Sequence, residues 1–387
     1  MFDLDKRLTK YIFFGFLNFP KGILLTLTLI IIPIYLYEKS IPIHIITIIV
    51  GLVSFPWIIK IVWGWIIDHY ISFGRKIFII IGGTISSLSL CAITLFDPET
   101  FLFLFVFFLF TSHIGLLFLD TAKTAWAIDI IDKNERGKIN GIMFSFQFLI
   151  MAISTLFLSF ISKIIHYNFA FILSGILILS FSMYTYFFNE GKKEKKVQQI
   201  KTLVTELKKN HIRLISLFAL ITPITGGIII LTAPLYIKDI FQFDIGQIGI
   251  FSVLFLLLRA IGSFSGGWAA DRYGRKISSA IFLSASIILF PFFTILDSWE
   301  GLFILYSTIG FFLGGIQTTM STIFMDSSNK EIAATHYSMY ASFFNIGRLT
   351  GETFSGIFII SFGFSRVFLI CAWIFGISLW LLFFLRK

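Results

Sequence analysis

The sequence predicts an all-α membrane protein, with twelve transmembrane helices in two pseudo-symmetric six-helix bundles. Three observations carry this expectation. Hydrophobic residues make up 57% of the 387-residue chain, charged residues only 13%, and mean hydropathy is +0.91. A soluble domain carries about 45–50% apolar and about 25% charged residues. Secondly, the apolar segments run for about twenty residues or more, the length of a membrane helix. Barrel strands instead alternate apolar and polar residues over about ten positions. Thirdly, one short basic motif closes two of these segments. It reads Gly64-Trp65-Ile66-Ile67-Asp68-His69-Tyr70, then Gly74-Arg75-Lys76 after the insert Ile71 to Phe73. It recurs as Gly267-Trp268-Ala269-Ala270-Asp271-Arg272-Tyr273-Gly274-Arg275-Lys276. The two aspartates lie about half a chain apart, so the repeat unit is roughly half the protein.

The spans are expected at 11–36, 43–67, 77–96, 101–126, 139–163, 168–188, 212–236, 245–268, 277–296, 301–325, 335–360 and 364–385. The first is too long for a signal-peptide core and lacks a small-residue cleavage site, so it reads as a membrane helix. The turns that follow are short and punctuated by Pro, Gly or charge. The exception is a basic stretch at mid-chain, which divides it into a bundle at 1–188, a linker at 189–211 and a bundle at 212–387. The linker holds Lys192, Lys193, Lys195, Lys196, Lys201, Lys208 and Lys209. It is either a solvated tether or an amphipathic helix on an anionic membrane surface, because Val197, Ile200, Leu203, Val204 and Leu207 recur at helical spacing.

Of the 31 Lys and Arg residues, 22 fall in the termini, the linker stretch counted through Arg213, and the other even-numbered connections. Only Lys39, Lys163, Lys238 and Arg366 fall on the opposite side. The positive-inside rule then places both termini and the linker in the cytoplasm, in a multi-pass protein of the cell membrane. The net charge of +10 is a topological signal, and no nucleic-acid partner is expected. Cys91 and Cys371 lie in apolar segments, so neither a disulfide framework nor a Cys metal site is indicated.

Five bases remain inside the spans: Lys21, Lys60, Lys123, Arg259 and Arg348. The acids there are Asp120 and Glu352, and His113 is the one histidine well inside a span. A charge at the centre of a membrane helix costs at least about 2–3 kcal/mol, so such residues usually face a cavity or a partner. Lys60 and Arg259 lie near the cytoplasmic ends of their helices and either snorkel to the interface or face inward. Arg348 and Glu352, four apart, share one helix face; the pair is either a structural brace or a site where substrate or a proton competes. Asp120 and Lys123 carry the same two readings. His113 reads as a hydrogen-bonded packing residue ahead of a titrating relay. Thr222, Pro223, Thr225, Gly226 and Gly227 in span 7 suggest irregular backbone lining a cavity. Gln317 sits among small and hydroxyl residues in span 10 and is a candidate substrate contact.

There is no P-loop, no ligand cluster with metal spacing and no nucleophile paired with a base. The expectation is therefore no enzyme, no cofactor and no metal, with energy for any transport taken from a gradient. The doubled motif resembles the signature loop of the major facilitator superfamily, found between helices 2 and 3 and again between helices 8 and 9. The resemblance covers the entire chain. It implies that Asp68, Arg75 and Lys76, with Asp271, Arg272, Arg275 and Lys276, form a cytoplasmic gate. Pro56-Trp57-Ile58-Ile59-Lys60-Ile61-Val62-Trp63, Asp120-Thr121-Ala122, Ala125-Trp126, Asn134-Glu135-Arg136-Gly137 and Thr335-His336-Tyr337-Ser338 are similar to the muropeptide permease and acetyl-CoA transporter group. Where that group has a second acid four residues after Asp120, this chain has Thr124, with Lys123 beside it.

The function expected is secondary active transport of a small anionic solute by alternating access, as a proton symport, in a monomer embedded in the lipid bilayer. Five buried bases against two acids point to the anion. Lys21, Lys123, Arg348, Gln317 and Asn18 are the candidate substrate contacts, with Asp120 and Glu352 as proton carriers. The competing readings are an exporter of amphiphilic drugs and a transport-dead sensor or scaffold on the same fold.

Overall fold

The structure, a computed structural model, describes residues 6–190, 199–241, 245–296 and 298–385. Every regular element among them is helical. The long helices are α1 (Arg7–Glu38), α2 (His44–His69), α3 (Arg75–Ile93), α4 (Pro98–Ile130), α5 (Lys133–Ile164) and α6 (Tyr167–Phe187). They continue as α7 (Asn210–Phe241), α8 (Ile245–Tyr273), α9 (Arg275–Thr294), α10 (Trp299–Ser327), α11 (Ala333–Phe362) and α12 (Phe364–Phe384). Eleven of these are long and apolar enough to cross a membrane. The twelfth, α11, has 30 residues but carries His336, Asn345, Arg348 and Glu352, too polar for that group. A shorter helix, Gln199–Leu207, lies in the linker. Its Val204 and Leu207 are exposed, while Glu206 turns inward and pairs with Lys209 at 2.6 Å. Val197 and the lysines at 192, 193, 195 and 196 lie outside the described residues.

Two compact units make up the chain. Unit 1 comprises residues 1–130, 149–199 and 329–338, and unit 2 comprises 131–148, 200–328 and 339–387. The units are not the two sequence halves. The start of α11 belongs to unit 1, and the start of α5 belongs to unit 2.

Prolines shape two of the helices that carry interior charge, α1 and α2. In α1 the helix breaks at Leu17–Asn18, where Pro20 supplies no N–H. The Asn18 amide donates to the Phe14 carbonyl at 2.8 Å, which ties the break together and aims its own oxygen inward. A π-helical turn, Leu27–Ile31, precedes Pro33 in the same helix. In α2, Pro56 opens a 3₁₀ turn, Phe55–Trp57, and the helix resumes at Lys60. By contrast α7 runs unbroken through Thr222, Pro223, Gly226 and Gly227, so the irregular backbone expected there does not occur. Neighbouring helices packed on a membrane helix make one missing hydrogen bond tolerable. In unit 2, α8 and α10 pack backbone against backbone. A Cβ at Gly314 would collide with the Arg259 carbonyl, so glycine there sets how closely the two helices approach.

Candidate functional site

Three lysines from three different helix segments converge on one carboxylate in unit 1. Asp120 of α4 accepts from Lys123 Nζ at 2.8 Å and from Lys60 Nζ, and Lys21 Nζ lies 3.5 Å away. The i,i+3 spacing puts Lys123 on the same face of α4 as Asp120. The break at Asn18 lets its side-chain oxygen accept a second bond from Lys123, at 2.7 Å. The turn at Pro56 sets Trp57 and Lys60 together. Both Lys21 and Lys60 lie over the Trp57 ring, at 5.1 and 5.6 Å from its centroid, and Lys60 lies 6.0 Å from that of Tyr337. Lys60 and Lys123 are sealed, with side chains 3% and 2% exposed, while Lys21 is 18% exposed. Four of the expected site residues, Lys21, Asn18, Lys123 and Asp120, therefore lie together in unit 1, and Lys60 joins them. Snorkelling of Lys60 to an interface is excluded by that burial and by its bond to Asp120. Thr124, at the position of the missing acid, donates to the Asp120 backbone carbonyl at 2.8 Å and brings no charge.

Beneath the cluster, Trp57 Nε1 donates to His113 Nδ1 at 3.0 Å. Indole N–H only donates, so Nδ1 holds the lone pair and Nε2–H faces Thr28 Oγ1 at 2.9 Å. The Thr28 hydroxyl in turn donates to the Leu24 carbonyl at 2.9 Å. His113 thus fixes the edge of the ring on which two lysines rest.

Unit 2 has a sparser interior. Arg348 and Glu352 form an i,i+4 pair at 2.5 Å, with both side chains only partly buried. Arg259 Nη2 donates to Gln317 Oε1 at 2.7 Å, and its guanidinium lies 4.4 Å from the Phe148 ring centroid. It too is held inside and does not snorkel.

The doubled motif forms two matching sites. In unit 1, Asp68 Oδ1 accepts from Arg75 Nη1 at 3.2 Å and from the Ala334 N–H at 3.3 Å. Its Oδ2 accepts from both the N–H and the hydroxyl of Thr335, each at 2.7 Å. Arg75 Nε also reaches Asp129 at 2.7 Å. In unit 2, Asp271 accepts from the N–H groups of Gly137 and Lys138, at 2.9 and 2.7 Å, and pairs with Arg275 at 3.3 Å. Arg275 Nε reaches Asp326 at 2.8 Å. Each aspartate thus caps the first turn of a helix from the other half of the sequence, where free N–H groups and the helix dipole favour a carboxylate. Gly74 and Gly274 turn the chain at φ +82° and +93°, where any side chain would be strained. The motif lysines act elsewhere. Lys76 donates to the carbonyls of Tyr186 and Phe188 at 2.7 and 3.0 Å, and Lys276 to those of Phe383 and Leu385 at 2.8 and 3.3 Å. Arg272 stacks on Trp268 and Tyr273, away from Asp271. Sequence reasoning missed Asp129, Asp326 and Thr335. The first two were visible as acids at the ends of corresponding helices, α4 and α10; Thr335 stood out only as part of the motif Thr335-His336-Tyr337-Ser338, with nothing to tie it to Asp68.

Among the described residues, twelve long helices, a doubled Asp–Arg helix cap and charges held inside each of two units define a polytopic helical membrane fold. Residues 14–222 and 215–387 match the Major Facilitator Superfamily, and the chain belongs to it. This is a family of transporters and not of enzymes. Among curated proteins the chain is similar to Multidrug resistance protein MdtG of Salmonella typhimurium, 24% identical over 212 residues, 52% of each chain. It is also similar to the protein of that name from Escherichia fergusonii, 26% identical over 186 residues, 46% of this chain and 45% of that one. The match thus spans about half the length of these relatives. Among solved structures, the transporter FucP in its outward conformation superposes with a TM-score of 0.79 at 13% identity, over 97% of this chain and 98% of that one. The human organic anion transporter MFSD10 (TETRAN) gives 0.79 at 12% identity, over 96% and 98%. At those identities the likeness is one of fold.

Proposed function

We propose that this protein is a secondary active transporter that moves a small anionic solute across the cell membrane by alternating access. The observation that carries the reading is the excess of cations around Asp120. Three ammonium groups face one carboxylate, and each buried charge left uncompensated in a membrane span costs at least about 2–3 kcal/mol. An anionic solute supplies the missing charge on binding. Lys21, the loosest and most exposed of the three, meets it first; Asn18 and Trp57 hold Lys123 and Lys60 in place. Within unit 2, a proton on Glu352 releases Arg348 from its ion pair and frees it for an anion, which couples solute to proton. Asp68 and Asp271, with Arg75 and Arg275, act as the gate, and Lys76 and Lys276 brace it. The charge bias of the loops supports cytoplasmic termini. The narrower kinship with the muropeptide permease group rests on the sequence motifs alone.

The second reading is export of amphiphilic drugs. It is favoured by the names of the MdtG relatives and by the aromatic faces of Trp57 and Phe148 beside the interior cations. One experiment separates the readings. Proteoliposomes containing the purified protein are incubated with a metabolite extract, with and without a proton gradient, and their contents identified by mass spectrometry. Anions should accumulate with the wild type, more so with the gradient, and at least about tenfold less with Lys21→Gln. Accumulation of amphiphilic compounds alone establishes the second reading, and no accumulation at all indicates a sensor.

A further inference from the structure

Among the five interior bases, Lys21, Lys60, Lys123 and Arg348 each have a carboxylate within ion-pair distance. Arg259 has none among the described residues. Its surroundings are nonetheless ordered. The close approach of α8 and α10 at Gly314 brings Gln317 within reach, and the amide oxygen accepts from Nη2 at 2.7 Å. The Phe148 ring lies 4.4 Å and the Phe255 ring 5.8 Å from the guanidinium. Nε is shielded from solvent and donates to nothing among the described residues. A guanidinium keeps its charge at physiological pH, so Arg259 cannot relieve an unpaired burial by losing a proton. A planar, oriented fork with an idle donor and no counter-charge is the arrangement that receives an oxyanion.

We infer that Arg259 is a second anion receptor, which binds a carboxylate or phosphate group of the transported solute through its guanidinium. This rests on the anion-transport reading and extends it, because it names a specific anion contact within unit 2. Gln317 positions the fork, and Phe148 supports its plane and keeps water from it. Arginine's planar fork pairs bidentately with either group, whereas a lysine ammonium acts as a point charge that remains a good phosphate ligand, so lysine at this position should serve phosphate better than carboxylate.

The test measures the thermal midpoint of the purified, detergent-solubilised protein against concentration of sodium succinate, sodium phosphate or sodium chloride at matched ionic strength. Succinate, phosphate or both should raise the wild-type midpoint beyond chloride, and which one does so names the group. Arg259→Gln should weaken that apparent affinity at least about tenfold, the loss of a charge-assisted hydrogen bond. It should not lower the midpoint without anion, since it removes an unpaired charge. Arg259→Lys should recover part of the phosphate response and little of the succinate response. Gln317→Leu, which leaves the charge in place, should give an intermediate loss. Equal anion responses in wild type and Arg259→Gln, with a response lost in Lys21→Gln, would overturn this inference and leave the lysine site standing. A wild type that responds to neither anion overturns it, and anion uptake by proteoliposomes then decides whether the broader reading falls as well. A collapsed midpoint in Arg259→Gln without anion would make the residue structural and overturn the inference too.

Discussion

The two motif sites are built to one plan and closed to different degrees. In both, an aspartate caps a helix start, an arginine ties that aspartate to an acid at the end of another helix, and a lysine covers the carbonyls of a third. The unit 1 copy adds the Thr335 hydroxyl to its aspartate, and its Arg75 is only 2% exposed. In the unit 2 copy Arg275 is 20% exposed, although the Asp271 side chain is as buried as that of Asp68, and among the described residues no hydroxyl joins Asp271. Buried ion pairs depend on having every lone pair and proton satisfied, and losing one member is costly, whereas solvent substitutes for a missing partner at a more open site. The same residues at the same spacing therefore do not guarantee the same energetic weight. Enclosure decides it.

The comparison is broken most directly at the aspartates. Asp68→Asn retains shape but turns donors toward donors at Oδ2, so the protein should insert and fold while transport falls at least about tenfold, for charged hydrogen bonds worth about 1.5–3 kcal/mol. Asp271→Asn should cost only a few-fold. Initial uptake rates at matched membrane abundance check the order, and equal losses would show that enclosure does not set the weight. The lysines sharpen the comparison at smaller scale. Lys76→Met and Lys276→Met each remove two bonds to helix-end carbonyls on partly open surfaces, so each should lower stability by about 1 kcal/mol or less. Their thermal midpoints should fall by equal amounts. The smallest effect is expected at the exposed Lys39–Asp97 pair, 3.0 Å apart. The Glu99 N–H and then the Lys39 ammonium hold the Asp97 carboxyl below its usual range, and the bond to Asp97 raises Lys39. A depressed carboxyl stabilises above its unfolded value, and the contribution is lost on acidification. The midpoint difference between wild type and Asp97→Asn should be small and flat from about pH 8 to about pH 5, then close below about pH 4.

The fold was legible because hydrophobic length and a repeated motif survive without knowledge of packing. Even α11 was found by length and punctuation, although its polar residues disguise it. Interior charges were legible as well, since a Lys or Asp within an apolar run stands out at once. Their convergence was not. Asn18, Lys21, Lys60 and Asp120 lie on three helices, and only the breaks at Pro20 and Pro56 turn them toward one another. Lys60 and Arg259 were open between two readings because distance from a helix end does not say which way a side chain points. The proline in α7 misled in the opposite direction, since a helix packed on its neighbours can absorb one missing donor. Gly137 and Thr335 stood in motifs of their own, but their pairing with the two aspartates was hidden for a simpler reason: each partner lies in the other half of the sequence.

That last separation also sets a schedule for biosynthesis. Asp68 and its Ala334 partner are 266 residues apart in the chain. A ribosome adding about 5–20 residues per second needs about 13 s or more to deliver the second after the first. Through that interval the nascent α2 must carry a carboxylate whose final donors have not been made. Arg75, only seven residues on, and Asp129, at the end of α4, are available long before. Arg75 is thus the counter-charge that chain order delivers first, well before the helix start that caps the carboxylate. The Asp271 site reverses the order: Gly137 and Lys138 are already waiting when their aspartate emerges.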